Sequence, residues 1–268
     1  MSLLLARDVH YSRRGQAVLR AVELALAAGE VLGVIGPNGA GKTSLLRVLA
    51  GLALAHRGQV LLNWDDLAQL APLVRARRLG YHPQRPELHW PLTVETVVAL
   101  GRMPHAQAGV RRPSDDQSAI TVALARCGLT AVRTRRCDSL SGGELARVHM
   151  ARLLAGGHRV LLADEPIANL DPRFQLEILG ALRAHAADGG GAIVVLHDLN
   201  IAARFCDRLL LLDQGEVSAA GSPQSVLTPA RVARVFAVTS AYFTDAGIAQ
   251  ALAASRAATI LGDGQTPL

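Results

Sequence analysis

Gly36-Pro37-Asn38-Gly39-Ala40-Gly41-Lys42-Thr43 decides the fold of this chain. The octet has the form G-x-x-x-x-G-K-[ST]. It follows the β-branched apolar run EVLGVIG and opens SLLRVLAGL, which is apolar at helical spacing and closed by Gly51. Glycines let the backbone curl around an anion without a Cβ in the way, and successive N–H groups then point inward. The helix that follows adds its positive N-terminal end. In such a loop Lys42 reaches the β- and γ-phosphates of a nucleotide and the Thr43 hydroxyl ligates Mg²⁺. Of the 28 basic residues Lys42 is the single lysine, so a composition that otherwise uses arginine keeps lysine inside this loop.

On either side of the octet the pattern alternates. LLLARDVHYS and AVLRAVELAL are short apolar-rich runs separated by RRGQ, and they read as strands. GQVLLN is a further strand, and RRLGYHP ends on a proline stop. From about residue 86 to 157 the period becomes helical: TVETVVALGR, then SDDQSAITVALARCG with a Ser-x-x-Gln capping box at Ser114 and Gln117, then SGGELARVHMARLLAGG with Ser-x-x-Glu at Ser141 and Glu144. Strand signals return in HRVLLAD, GAIVVLH and DRLLLLDQGEV, with DPRFQLEILGALRAHA between them. Asp171 is the expected N-cap of that helix and Pro172 its first residue. The sum is an α/β fold: a P-loop core with a mainly parallel sheet, N-terminal antiparallel strands and an inserted helical subdomain. The expected organisation is one domain over 1–238, with core segments 1–85 and 158–238 and helical segment 86–157. Residues 239–268 form an extension with no functional reading.

Composition removes several classes. Half of the 268 residues are hydrophobic and 19% are charged, enough for a sizeable core and against global disorder. Cys127, Cys137 and Cys206 are few, odd in number and free of CxxC spacing, which fits a reducing compartment rather than a disulfide scaffold. No stretch of 18 apolar residues without a charge suggests a membrane span, and MSLLLARD is too short for a signal peptide. The net charge of +6 invites a nucleic-acid reading, but the arginines are scattered and aromatics make up 3%, too sparse for a base-stacking platform. No nucleic acid is expected.

Two further motifs carry chemistry. Arg159-Val160-Leu161-Leu162-Ala163-Asp164-Glu165 is an apolar strand ending in two carboxylates. After a P-loop the first, Asp164, is placed to hold Mg²⁺ through water beside Thr43. Glu165 points elsewhere at the strand end and can polarise an attacking water. Leu140-Ser141-Gly142-Gly143-Glu144 is a second anion site: a serine hydroxyl and two glycine N–H groups at a helix N-terminus.

The order of these motifs resembles the ATPase subunit of an ATP-binding cassette (ABC) transporter, over roughly residues 2–238. GPNGAGKT resembles Walker A, HPQ places Gln84 at the Q-loop, LSGGE resembles the signature and LLADEP resembles Walker B. NLDP puts Asp171 in the D-loop, and VVLHD puts His197 in the switch position. Tyr11 stands 25 residues before Gly36, where the family carries an aromatic that stacks on adenine. The resemblance implies ATP and Mg²⁺ as ligands, with residues Gly36 to Ser44 on the phosphates and Thr43, Gln84 and Asp164 around the metal. It further implies Glu165 as the catalytic carboxylate, assisted by Lys42 and His197. Two copies would sandwich two ATP head to tail, each completed by Ser141, Gly142, Gly143 and Glu144 of the other copy. Ile167 after DEP and Leu145 after the signature depart from the usual pattern, at positions with no assigned chemical role.

PLTVETVVALGRMPH, HDLNIAARFCDRLLLLDQGEV and GSPQSVLTPARVARVF resemble the ATPases of importers for iron–siderophore complexes, haem and cobalamin, with ferric siderophore the first expectation. That implies integral membrane permease subunits as partners, contacted between Pro86 and His105. It also implies a substrate-binding protein acting indirectly, and a peripheral position on the cytoplasmic face of the inner membrane. The alternatives are the ATPase of another transporter, whether for another solute or an exporter, and a soluble ABC ATPase acting on nucleic acid or the ribosome. Repair members carry long coiled-coil insertions and translation members usually two cassettes, whereas this chain shows one cassette and no heptad stretch.

Overall fold

A computed structural model describes residues 2–86, 91–105 and 113–237. In chain order it contains β1 (Ser2–Arg13), β2 (Gln16–Ala27), β3 (Val31–Ile35), α1 (Lys42–Leu49), β4 (Arg57–Leu62), β5 (Asp65–Asp66), α2 (Pro72–Arg78) and β6 (Leu79–His82). Three helices follow, α3 (Val94–Ala99), α4 (Pro113–Arg126) and α5 (Gly142–Ala155). The chain then alternates: β7 (Val160–Asp164), α6 (Pro172–Ala187), β8 (Gly191–Val195), α7 (Leu199–Phe205), β9 (Arg208–Asp213), β10 (Glu216–Gly221), α8 (Pro223–Val226) and α9 (Pro229–Phe236).

The larger sheet has the order β10-β9-β3-β8-β7-β6, parallel throughout except for the β9–β10 hairpin. Its central strands β3, β7 and β8 are buried at every residue, as parallel strands covered on both faces must be. Alternation along the strands then feeds two cores. Ile35, Leu161, Ala163, Val194 and Leu211 join the helices on one face, while Val34, Leu162, Ile193, Val195 and Leu212 join α1 and the smaller sheet on the other. That smaller sheet, β2-β1-β4-β5, is antiparallel. Helices α3, α4 and α5 pack on one another between β6 and β7 in the chain.

Register fixes where the site falls. Val195 pairs with Val34 on one side and with Asp164 on the other, and His82 pairs with Ala163. The segments leaving β3, β6, β7 and β8 therefore emerge at one level, at the carboxyl ends of parallel strands, where open α/β sheets bind ligands.

Two local expectations change. Ser114 and Gln117 lie inside α4 and form no capping box: the Gln117 amide donates to Glu95 of α3 at 3.1 Å, a contact between helices that no sequence spacing announces. Asp171 does occupy the N-cap position of α6 with Pro172 first in the helix, but its side chain makes no capping hydrogen bond. Cys127, Cys137 and Cys206 are free and buried. Among the described residues no helix is long and apolar enough to cross a membrane. The extension 239–268 lies outside the described residues, as do 87–90 within the stretch from Pro86 to His105.

Candidate functional site

The loop between β3 and α1 is shaped by its glycines. Gly41 occupies the N-cap position of α1 at φ 103°, and a Cβ there would meet the Val18 carbonyl oxygen at 3.1 Å. Gly36 passes so close to β9 that a Cβ would fall 2.0 Å from the Leu212 carbonyl oxygen. No side chain caps α1, and no acidic residue stands in its first turn, so its N-terminal N–H groups are left for an anion. The loop opens on a cavity of about 290 Å³ lined by Arg13, Val18, Asn38, Gly39, Gly41, Lys42, Thr43, Ser44 and Glu165. Gly36 and Pro37 hold the lysine instead of lining the cavity: Lys42 Nζ donates to their carbonyl oxygens at 2.7 and 2.9 Å. Ala40 packs into the core. Burial pulls the Lys42 pKa down, against the pull of the Glu165 and Asp164 carboxylates.

Asp164 is 0% exposed at the end of β7, and neither carboxylate oxygen has a hydrogen-bond partner. Burial pushes its pKa up, while the Thr43 hydroxyl, the Lys42 ammonium and His197 pull it back. A fully buried carboxylate with both oxygens unmatched, beside a hydroxyl at a phosphate loop, is a donor set that suits a hard divalent cation.

Glu165 sits at φ 51° and turns out of the strand toward two donors. His197 Nε2 lies 2.6 Å from its Oε1 and the Gln84 amide donates to its Oε2 at 2.8 Å. Gln84, Glu165 and His197 thus meet at one carboxylate at the mouth of the Lys42 cavity.

The signature residues stand outside the Lys42 cavity, and Gly142 borders a neighbouring one with Gln84 and Glu165. Ser141 caps α5: its hydroxyl accepts from the Glu144 N–H at 3.3 Å, and Glu144 Oε2 accepts from the Ser141 N–H at 2.8 Å. The same oxygen takes the Ser141 hydroxyl at 3.0 Å. These backbone and hydroxyl donors hold the Glu144 carboxyl below its usual range. Ser141 and Gly142 are exposed, and none of Ser141 to Glu144 lines the cavity over Lys42. Asp171 is exposed as well and lines none of the cavities around Glu165.

Tyr11 does not line the phosphate-loop cavity. Its ring centroid lies 6.0 Å from that of His56, just before β4, and it packs on the core under the smaller sheet. A register shift in β1 between Tyr11 and Ser12 breaks the simple alternation from Tyr11 to the hairpin end, and Arg13 and Val18 reach the cavity instead. Sequence reading passed over both, because neither has a spacing that marks it.

It also passed over His82 and His149, buried at 5% and 2% exposure with rings 6.4 Å apart in a T arrangement. They line a second cavity of about 260 Å³ with Gln84, Gly142 and Glu165. Burial holds both pKa values down to about 4, so both rings are neutral. Of the two family departures, Ile167 is core and Leu145 packs beside it.

The family described as "ABC transporter" matches residues 19–168. The "Hemin import ATP-binding protein HmuV" of Pseudomonas fluorescens is 46% identical over 240 residues, which cover 87% of this chain and 92% of that one. The protein of the same name from Bordetella pertussis is 43% identical over 244 residues, covering 88% and 92%. Among solved structures, a dimeric ATP-binding cassette in a post-hydrolysis state bound to ADP and Pi is similar with a TM-score of 0.71 at 26% identity, covering 82% of this chain and 98% of that one.

Proposed function

From the premise that this chain belongs to the ABC transporter family and is its ATP-hydrolysing subunit, we propose that the transport it energises is the import of haem or a closely related iron chelate. Relatives named for hemin import, at 43–46% identity, support haem ahead of the ferric siderophore that the sequence stretches alone put first.

The observation that carries the ATPase mechanism is Glu165, poised between Gln84 and His197 at the mouth of the Lys42 cavity. With ATP in the loop, Lys42 exchanges the Gly36 and Pro37 carbonyls for phosphate oxygens, and the uncapped end of α1 faces the same charge. Asp164 and Thr43 would hold Mg²⁺, which would supply positive charge against the phosphates. Gln84 would join them through its amide oxygen, since only its amide nitrogen is engaged with Glu165. Through the lone pairs that its two partners leave open, Glu165 orients a water toward the γ-phosphorus and accepts its proton. The new P–O bond forms as the bond to the β–γ bridging oxygen breaks, and ADP leaves with that electron pair. His197 holds the γ-phosphate geometry.

None of Ser141 to Glu144 lines the cavity over its own copy's Lys42, and Ser141 and Gly142 are exposed, which supports a head-to-tail pair in which each signature completes the other copy's site. Arg13 and Val18 flank the cavity where the nucleoside emerges. Residues 86–157 are the segment that meets the integral membrane permease, and a substrate-binding protein acts through that permease. The chain sits peripherally on the cytoplasmic face of the membrane.

The test of the transport reading is growth. A deletion strain supplied with hemin, a ferric siderophore or cobalamin as the only source of iron or cobalamin should fail first on hemin. Re-expression should restore growth, and Glu165→Gln should not. Normal hemin uptake in the deletion strain, with no second haem importer present, would refute the haem assignment and leave the ATPase mechanism standing.

A further inference from the structure

Phe174 stands three residues past Asp171, in the first turn of α6, and lies outside the lining of the Lys42 cavity. Its ring fills the space beside Gly143, so closely that a Cβ on that glycine would fall 2.6 Å from it. Gly143 is one of the glycines at the exposed N-terminus of α5. One turn further along α5, Arg147 sets its guanidinium 4.7 Å from the centre of the same ring. Arg147 is 11% exposed and its Nη1 lies 3.3 Å from Glu177 of α6. The same nitrogen donates to the Cys127 and Gly128 carbonyls at the end of α4, at 3.2 and 3.3 Å. A half-buried aromatic is therefore clamped by a guanidinium that three helices share, and it presses on the backbone of the signature.

A glycine backbone at a helix N-terminus has no side chain to fix its height. Whatever packs against it decides where its N–H groups point. Resting on the head-to-tail reading above, we propose that Phe174 is a positioning residue for hydrolysis in the other copy's site. Its ring, held by Arg147, sets the Gly142–Gly143 backbone at the height that meets the nucleotide bound by the partner. The flat ring supplies what a smaller side chain cannot: a rigid wall on α6 that touches both Gly143 and Arg147 of α5.

Full-length Phe174→Ala tests this by Mg-ATP hydrolysis, alone and in mixtures. The expected result is kcat down about tenfold, the loss that a sub-ångström misplacement of one donor pair produces, with nucleotide affinity of the monomer unchanged. Mixed with Lys42→Ala, whose signature is intact, Phe174→Ala should recover activity above the sum of the two alone, because one composite site is whole. Mixed with Ser141→Arg it should not, because both signatures are then impaired. Phe174→Leu, which keeps most of the volume, should fall between wild type and Phe174→Ala and guards against a simple folding defect.

Recovery with Ser141→Arg but not with Lys42→Ala would place Phe174 in its own copy's nucleotide site and overturn the proposal. So would unchanged kcat, or recovery in neither mixture while a control mixture of Lys42→Ala with Ser141→Arg regains activity. If that control stays silent, the head-to-tail reading itself falls and the assignment of Phe174 falls with it.

Discussion

His197 Nε2 lies 2.6 Å from Glu165 Oε1, and with Gln84 on the other oxygen the carboxylate is engaged on both sides. A carboxylate so held is oriented, and the second lone pair of each oxygen stays open to accept a water's proton. His197 is then a support that fixes the direction of the carboxylate. His197→Ala should lower kcat by about 10²-fold, the usual effect of losing one preorganised donor, while ATP affinity changes little. Steady-state hydrolysis with a parallel nucleotide-binding titration checks both, and a loss of affinity equal to the loss of kcat would contradict the assignment.

Lys42 gives a chemical handle, since it is the single lysine and is folded onto the Gly36 and Pro37 carbonyls. Burial lowers its pKa, so its neutral form is reached at a lower pH than for an exposed lysine. An amine-reactive reagent should label it slowly, at one internal site. ATP should protect it, as shown by peptide mass mapping. Labelling that ATP leaves unchanged would mean that Lys42 does not reach the nucleotide.

Much of this was legible in the sequence. The octet at Gly36, the carboxylates at Asp164 and Glu165 and the capping box at Ser141 are local patterns, and each stands where its spacing placed it. What was hidden depends on tertiary contact. Helix α2 has no buried residue, so Pro72–Arg78 offers no apolar stripe to read. Ser114 had the residues of a cap without its position. Phe174 next to Gly143, and His82 next to His149, join segments far apart in sequence. Tyr11 illustrates the converse: distance along a strand does not say which residue crosses to the loop when a register shift intervenes.

Arg13 should therefore matter more to nucleotide affinity than Tyr11. A guanidinium at the cavity wall can stack on a planar base or approach a phosphate, and its loss should weaken ATP binding about fivefold, equivalent to ~1 kcal/mol. Tyr11→Ala should leave affinity almost unchanged and lower thermal stability, because the ring is packed against the core. Binding titrations on the two variants decide it, and the reverse order of effects would return the nucleoside contact to Tyr11.

Acid should unfold the chain through its buried histidines. Burial holds His149 and His158 down to about 4, below the ordinary 6.5 of an unfolded chain. Between those values the unfolded state binds more protons than the folded one, so stability is complete above pH 6.5 and falls as pH drops toward 4. Each histidine contributes at most about 3 kcal/mol to that fall. His149→Leu should flatten the decline in denaturant midpoint between pH 6.5 and 4. A variant with the wild-type slope would remove His149 from the account.

Under the proposed mechanism two copies close on ATP and Glu165 performs the hydrolysis inside that pair. Sedimentation of Glu165→Gln with and without ATP tests it most directly, with turnover read on the same sample. The amide keeps the shape and removes the base, so turnover should fall about 10²–10⁴-fold. The protein should sediment as a dimer with ATP and as a monomer without it. A monomer at saturating ATP, or hydrolysis by Glu165→Gln at the wild-type rate, would contradict the account.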